Sequence, residues 1–164
     1  MRAAVVRSIP LIGLFALGLA VGLMRSPARA PELGEMMLLQ QVRHMKLCLA
    51  GEAGNWRLAN YELEELEEGF DTIVTDHPTH AESPVAPKDA IPRMVTVPLA
   101  DLRDAVQRHD PRLFAERYDA LTAACNGCHQ ASNVGFNHVQ RPDANPYPNQ
   151  VFSPLGSTDA GVAP

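Results

Sequence analysis

Apolar residues recur along this chain every three or four positions, the period of a helix with one buried face. In "GEMMLLQQVRHMKLCLAG", at about 34–51, Leu38, Val42, Met45 and Leu49 step by four, three and four, which predicts a first helix with that stripe inward. "NWRLANYELEELEEGFDTIV" predicts a second: Asn55 stands as its N-cap, and Ala59, Leu63, Leu66, Phe70 and Ile73 form its stripe. Glu62, Glu64, Glu65, Glu67 and Glu68 read as its solvated face. A third pattern at 89–109 is interrupted by Pro98. Proline is tolerated in a first turn, so the main helix is expected to start near Pro98, with Leu99, Leu102 and Val106 inward. The fourth runs from about Pro111 to Ser132, with Asp110 as N-cap and Pro111 at the first helical position.

Between the second and third patterns, "DHPTHAESPVAPKD" is dense in proline and turn formers, and its His77 and His80 read as turn residues. From Asn133 the helical period stops. "RPDANPYPNQVFSPLG" is punctuated by Pro142, Pro146, Pro148 and Pro154 and reads as extended chain, with Tyr147, Val151 and Phe152 available to pack on a groove. The terminal "STDAGVAP" is expected to fray. No strand pattern competes. The fold expected is all-α, an antiparallel four-helix bundle over 31–132 with an extended proline-rich C-terminal tail over 133–164.

The stretch 1–30 differs in kind. Arg2 and Arg7 flank the start of an unbroken apolar run, "IPLIGLFALGLAVGLM", and "SPARA" ends in a small-x-small pattern. A basic region, a short apolar core and such an ending make a secretory signal peptide, and the run falls short of the about 20 residues a membrane span needs. Cleavage after Ala30 would leave a mature chain from Pro31 to Pro164, with no stable membrane insertion. It would also remove four of the 14 basic residues and none of the 19 acidic ones, for a formal net charge of −9. That surface repels nucleic acid and suits solubility or a cationic partner.

The chemistry concentrates in "TAACNGCHQAS". On the fourth helix Phe114, Tyr118, Leu121, Cys125 and Cys128 share the apolar face, and His129 lies one turn beyond Cys125. Two thiols and an imidazole so presented meet the needs of c-type haem attachment: the thiols bond the porphyrin rim and the imidazole reaches the iron. Two rivals use the same residues. Structural zinc wants four ligands, and beyond Cys125, Cys128 and His129 only His138 offers a fourth, with no second cysteine pair. A redox disulfide belongs at a helix N-terminus after a strand, whereas this motif lies near a helix C-terminus. Export, helix position and the histidine together favour haem. Cys48 reads as a buried apolar residue.

A helical, exported chain with Cys-x-x-Cys-His on its last helix resembles the class II c-type cytochromes, the cytochrome c′ proteins and their low-spin relatives. "RHMKLCLAGEAGNWRLANYELEELEEGF", "YDALTAACNGCHQ" and "RPDANPYPNQVF" look more closely like a group of small exported monohaem c-type cytochromes of unassigned role. The resemblance implies one covalent haem c on Cys125 and Cys128, with His129 as the axial iron ligand. It departs from class II in two places. "QASN" follows the motif where a basic residue is usual, and the chain continues well beyond His129, to Pro164, where class II chains end soon after the motif.

Class II members take a methionine from the first helix as second axial ligand or leave that position open. Here Met37, Gln41, His44 and Cys48 share one face of the first helix, and Met37 and His44 are the candidates. They lie two turns, about 10 Å, apart, so at most one can reach the iron. Met36, Met37 and Met45 also read as core fillers. Arg117 stands two turns before Cys125, as a candidate partner for a haem propionate or as a solvated side chain, and His138 as a candidate contact from the tail. The function expected is a periplasmic electron carrier with a transient redox partner, a homodimer being a further arrangement to consider. The alternative is a gas-binding haem protein with an open sixth position. Peroxide chemistry needs a distal acid/base, for which only His44 and Arg43 are at hand, and the chain is not read as an enzyme.

Overall fold

The computed structural model describes residues 30–156. Residues 1–29, which hold nearly all of the expected signal peptide, and 157–164, the expected frayed end, lie outside the described residues. Among the described residues all regular structure is helical, as the periodicity predicts: α1 Leu33–Glu52, α2 Trp56–Asp76, α3 Pro87–Met94, α4 Thr96–Gln107 and α5 Pro111–Ala131.

The helix ends follow local chemistry. Asn55 Oδ1 accepts a hydrogen bond from Leu58 N at 3.2 Å, and Asp110 Oδ1 accepts from Arg112 N at 3.0 Å and Leu113 N at 2.9 Å. Each such cap stabilises its helix by about 1 kcal/mol. Gly54, just past the end of α1, has φ +69°, the left-handed turn that favours glycine after a helix. The main helix expected from near Pro98 is α4, and the residues before it form the separate short helix α3, the two joined at Val95. Pro98 falls in the first turn of α4 as expected, but Pro92 lies inside α3 and cannot donate to the carbonyl four residues back.

Helix α2 is central, packing on α1, α3 and α4, while α5 packs on α1, α3 and α4. Its predicted stripe, Ala59, Leu63, Leu66, Phe70 and Ile73, is buried throughout, as are Leu99, Leu102 and Val106 of α4 and Phe114, Tyr118 and Leu121 of α5. Two expectations are corrected. On α1 the inward face runs through Met36, Gln40, His44, Leu47 and Cys48, and Leu38 of the expected stripe is 60% exposed. Helix α1 is apolar on several faces, so spacing alone does not fix its rotation. Two buried polar side chains fix it by finding partners: Gln40 Nε2 donates to the Leu66 carbonyl at 2.6 Å, and His44 bonds α5. The glutamate run of α2 is likewise not simply solvated. Glu62 is buried beside Lys46 Nζ at 3.7 Å, Glu65 pairs with Arg43 at 2.9 Å, and Glu67 pairs with Arg103.

The tail is extended, and it is fastened. Arg141 reaches Glu52 Oε1 at 2.7 Å, Asp119 Oδ1 at 2.6 Å and the Ala115 carbonyl at 3.0 Å, with its guanidinium 5.2 Å from the Tyr118 ring centre. Phe152 is buried and Tyr147 packs against it, whereas Val151 points to solvent.

Between α1 and α5, Gly51 lies on the Phe114 ring, which a Cβ at Gly51 would overlap. Phe114 is enclosed by Trp56 and Tyr118 and has no free side to move into. Overpacking such a site costs about 1–3 kcal/mol, against about 1 kcal/mol gained by alanine over glycine in a helix. Gly51→Ala is therefore expected to lower stability by a net of about 1 kcal/mol in denaturant titration; a stabilised variant would show that the seam is looser than described.

Candidate functional site

Beyond the buried Phe114–Tyr118–Leu121 face, α5 carries Cys125, Cys128 and His129 to one side of the core. Here α1 and α5 enclose a narrow cavity of about 600 Å³, open mouth included. Cys125, Cys128 and His129 line it from α5, Met37, Gln41 and His44 from α1, and Leu66, Phe70, Ile91 and Val95 supply apolar walls. An open groove of about 1160 Å³ adjoins it and shares Met37, Cys128 and His129 with it. Leu38 and Phe136, 60% and 88% exposed, stand at the groove. The structure thus brings together every residue singled out in the motif and both candidates on the first helix.

His129 has an oriented ring. Its Nδ1 donates to the Asn137 carbonyl at 2.6 Å, and its Nε2 has no hydrogen-bond partner among the described residues. A histidine held this way has its tautomer fixed and its other nitrogen free to act as a ligand. The tail brings Asn137 into place. Val134 N donates to the His129 carbonyl at 2.9 Å and Asn137 N to the Val134 carbonyl at 2.9 Å, which turns the chain back over the motif.

His44 is in the opposite situation. It is buried, its Nε2 lies 3.0 Å from Thr122 Oγ1, and its Nδ1 lies 2.8 Å from the Tyr118 hydroxyl. The Tyr118 ring stacks on it at 4.5 Å. Both nitrogens are engaged by α5, so His44 braces the cavity floor and has no lone pair to offer. Met37 carries no such commitment.

The thiols are held protonated. Burial, then the neighbouring Cys128, pushes Cys125 up to about 12, and burial raises Cys128 as well. This is the reverse of the lowered thiol that a reactive redox dithiol relies on. Among the described residues no three His, Cys, Asp or Glu side chains gather into a group that could hold a metal ion. Cys48 is buried in the core, as its plain reading expected.

Arg117 pairs with Asp101 at 3.3 Å and does not line the cavity, and neither does His138. His80, read as a turn residue, lines the groove. Sequence reasoning missed Thr122, Asn137 and Val139. Their contributions are a hydroxyl partner, a backbone carbonyl and a wall, and no side-chain pattern announces them. No protein-family model, no curated protein and no solved structure matches the chain.

His44 carries a pH signature. Burial, then the Arg141 guanidinium, lowers it from the ordinary 6.5 to about 4. The unfolded chain therefore binds a proton that the folded chain refuses between those values. The stabilisation is fully present above pH 6.5 and is lost as pH falls through about 4, by about 3 kcal/mol in all. Chemical denaturation of the wild type and of His44→Gln at pH 7 and pH 4 is expected to show that excess loss in the wild type alone; parallel losses would mean His44 is not held neutral.

Proposed function

We propose that the chain is an exported monohaem c-type cytochrome that works as an electron carrier in the periplasm. In this reading Cys125 and Cys128 hold the haem through their sulfurs and His129 Nε2 is an axial iron ligand. The observation that carries it is the His129 ring: Nδ1 tied to the Asn137 carbonyl and Nε2 free, beside two unpaired thiols in an apolar cavity. This donor set fits the group. A haem held there would supply a one-electron couple with a potential set by its ligands and burial.

The rest of the reading follows from the same residues. Met37 is the second axial ligand we assign, because it lines the cavity uncommitted while both nitrogens of His44 are bonded. The architecture we assign is an antiparallel four-helix bundle of the class II cytochrome type, with α3 and α4 counting as one broken helix. Its support is the order of contacts along the seam, Gly51 with Phe114, His44 with Tyr118 and Thr122, then Met37 in one cavity with Cys128 and His129. A transient redox protein is the partner this function requires. His44 lines the site with both ring nitrogens bonded, and Arg43 is tied to Glu65 outside the cavity lining, so neither is free to act as acid or base and we do not assign catalysis.

The second reading, a gas-binding protein with an open sixth position, draws on Leu66, Phe70, Ile91 and Val95, which would make an apolar distal wall. One experiment covers both. Produced in a host competent in cytochrome maturation, the protein is expected to carry one haem per chain that survives acid–acetone extraction, with none in Cys125→Ser/Cys128→Ser. The wild type should ignore carbon monoxide and Met37→Ala should bind it. Carbon monoxide binding by the wild type would select the gas-binding reading, and colourless wild type would end both.

A further inference from the structure

The Cys-x-x-Cys-His pattern leaves its two middle positions unspecified. In this chain one of them, Asn126, does something the pattern does not ask for. Its Nδ2 donates to the Val139 carbonyl at 2.8 Å, and its Oδ1 accepts from Val139 N at 2.8 Å. One side-chain amide thus grips both polar groups of a single backbone unit in the tail, as a neighbouring strand would. Two residues before Val139 is Asn137, whose carbonyl accepts from His129 Nδ1 at 2.6 Å. On the other side of the clamp, Arg141 is bound to Glu52 and Asp119. The segment from Val134 to Arg141 is therefore a strap over the motif, pinned at Val139 and at Arg141, and it meets the imidazole through the Asn137 carbonyl.

We infer that Asn126 is a positioning residue: by clamping Val139 it holds the Asn137 carbonyl against His129 Nδ1 and so sets the ligand strength of Nε2. The inference rests on the haem reading of the site and deepens it. An acceptor on Nδ1–H makes the imidazole more basic at its other nitrogen, and a more basic ligand favours the more highly charged, oxidised metal. Loosening the strap should therefore favour reduction. The carbonyl cannot be removed by mutating Asn137, because it belongs to the backbone. It can be moved by releasing what holds it.

The test uses the haem-loaded protein. Asn126→Ala is expected to raise the midpoint potential by the equivalent of about tenfold in the oxidised-to-reduced ratio, about 59 mV for a one-electron couple. It should also speed hydrogen exchange at the Val139 amide. Asn126→Ser keeps one short hydroxyl near Val139 and adds no charge, so an intermediate shift is expected, and it serves if the alanine variant does not accumulate. Ile73→Val controls for simple destabilisation, since Ile73 is buried in α2, lines neither the cavity nor the groove, and bonds no part of the strap, so it should leave the potential unchanged. A potential in both Asn126 variants equal to that of the wild type, or a shift no larger than that in Ile73→Val, overturns the inference and leaves the haem reading standing. Wild type without covalent haem overturns the haem reading itself, and this inference with it.

Discussion

Burying an imidazole in a small helical core costs free energy unless both of its nitrogens find partners. His44 meets that condition through α5 alone, with the Tyr118 hydroxyl on one side and Thr122 on the other. Tyr118 is itself fully buried, and its hydroxyl also lies 3.0 Å from the His44 carbonyl, so the pair fixes both the rotation of α1 and its height against α5. Toward the N-terminus of α5 the helices close on Gly51 and Phe114, with no room for a methyl group. Toward its C-terminus lies the cavity, lined by Met37 and His44 from α1 and by Cys125, Cys128 and His129 from α5. The site is thus the open end of a seam whose closed end is a glycine on a ring and whose middle is a hydrogen-bonded histidine.

The dependence of this arrangement on buried polar groups explains where periodicity succeeds and where it fails. On α2 the stripe from Ala59 to Ile73 is legible because its polar residues lie on the other faces and only one rotation buries apolar area. On α5 the face through Phe114, Tyr118 and Leu121 is legible for the same reason, and with it the direction of Cys125 and Cys128. On α1 the apolar residues surround the helix, so the Leu38 stripe and the Met36 face are equally good by spacing. The choice between them is made by Gln40 finding the Leu66 carbonyl and His44 finding Tyr118, pairings 26 and 74 residues apart in sequence. Long-range satisfaction of polar atoms leaves no local trace.

The tail shows the same limit from another side. Its prolines announce an extended chain without helix, and Tyr147 and Phe152 announce something to bury. Arg141 announces nothing, since an arginine in a polar segment is ordinarily solvated. Its role comes from Glu52 and Asp119, acids on two different helices that meet only in the folded chain. Asn126 and Asn137 are as silent: one acts through a side-chain amide on a backbone unit, the other through its own carbonyl. Half of the candidate site could be read from its cysteines and histidine. The half that orients them is written in backbone atoms.

Sequence separation divides the control of the cavity into two independent parts. The partner of His129 is eight residues away and the clamp of Asn126 thirteen, so the α5 side of the site closes through short loops at little entropic cost. The α1 side is set by contacts of 74 and 78 residues, which exist only once the core has formed. A change in the tail therefore acts on His129 while leaving Met37 and the apolar walls in place. A change in α1 acts on the opposite wall while leaving the His129 hydrogen bond intact. Sites more than about 7–10 Å apart without shared partners add independently, so tail and α1 substitutions combined are expected to sum. Arg141, which belongs to the tail and touches Tyr118 and the end of α1 at once, and Tyr147, whose ring lies 5.5 Å from Lys46 Nζ of α1, span both parts, and it is there that coupling between them would arise.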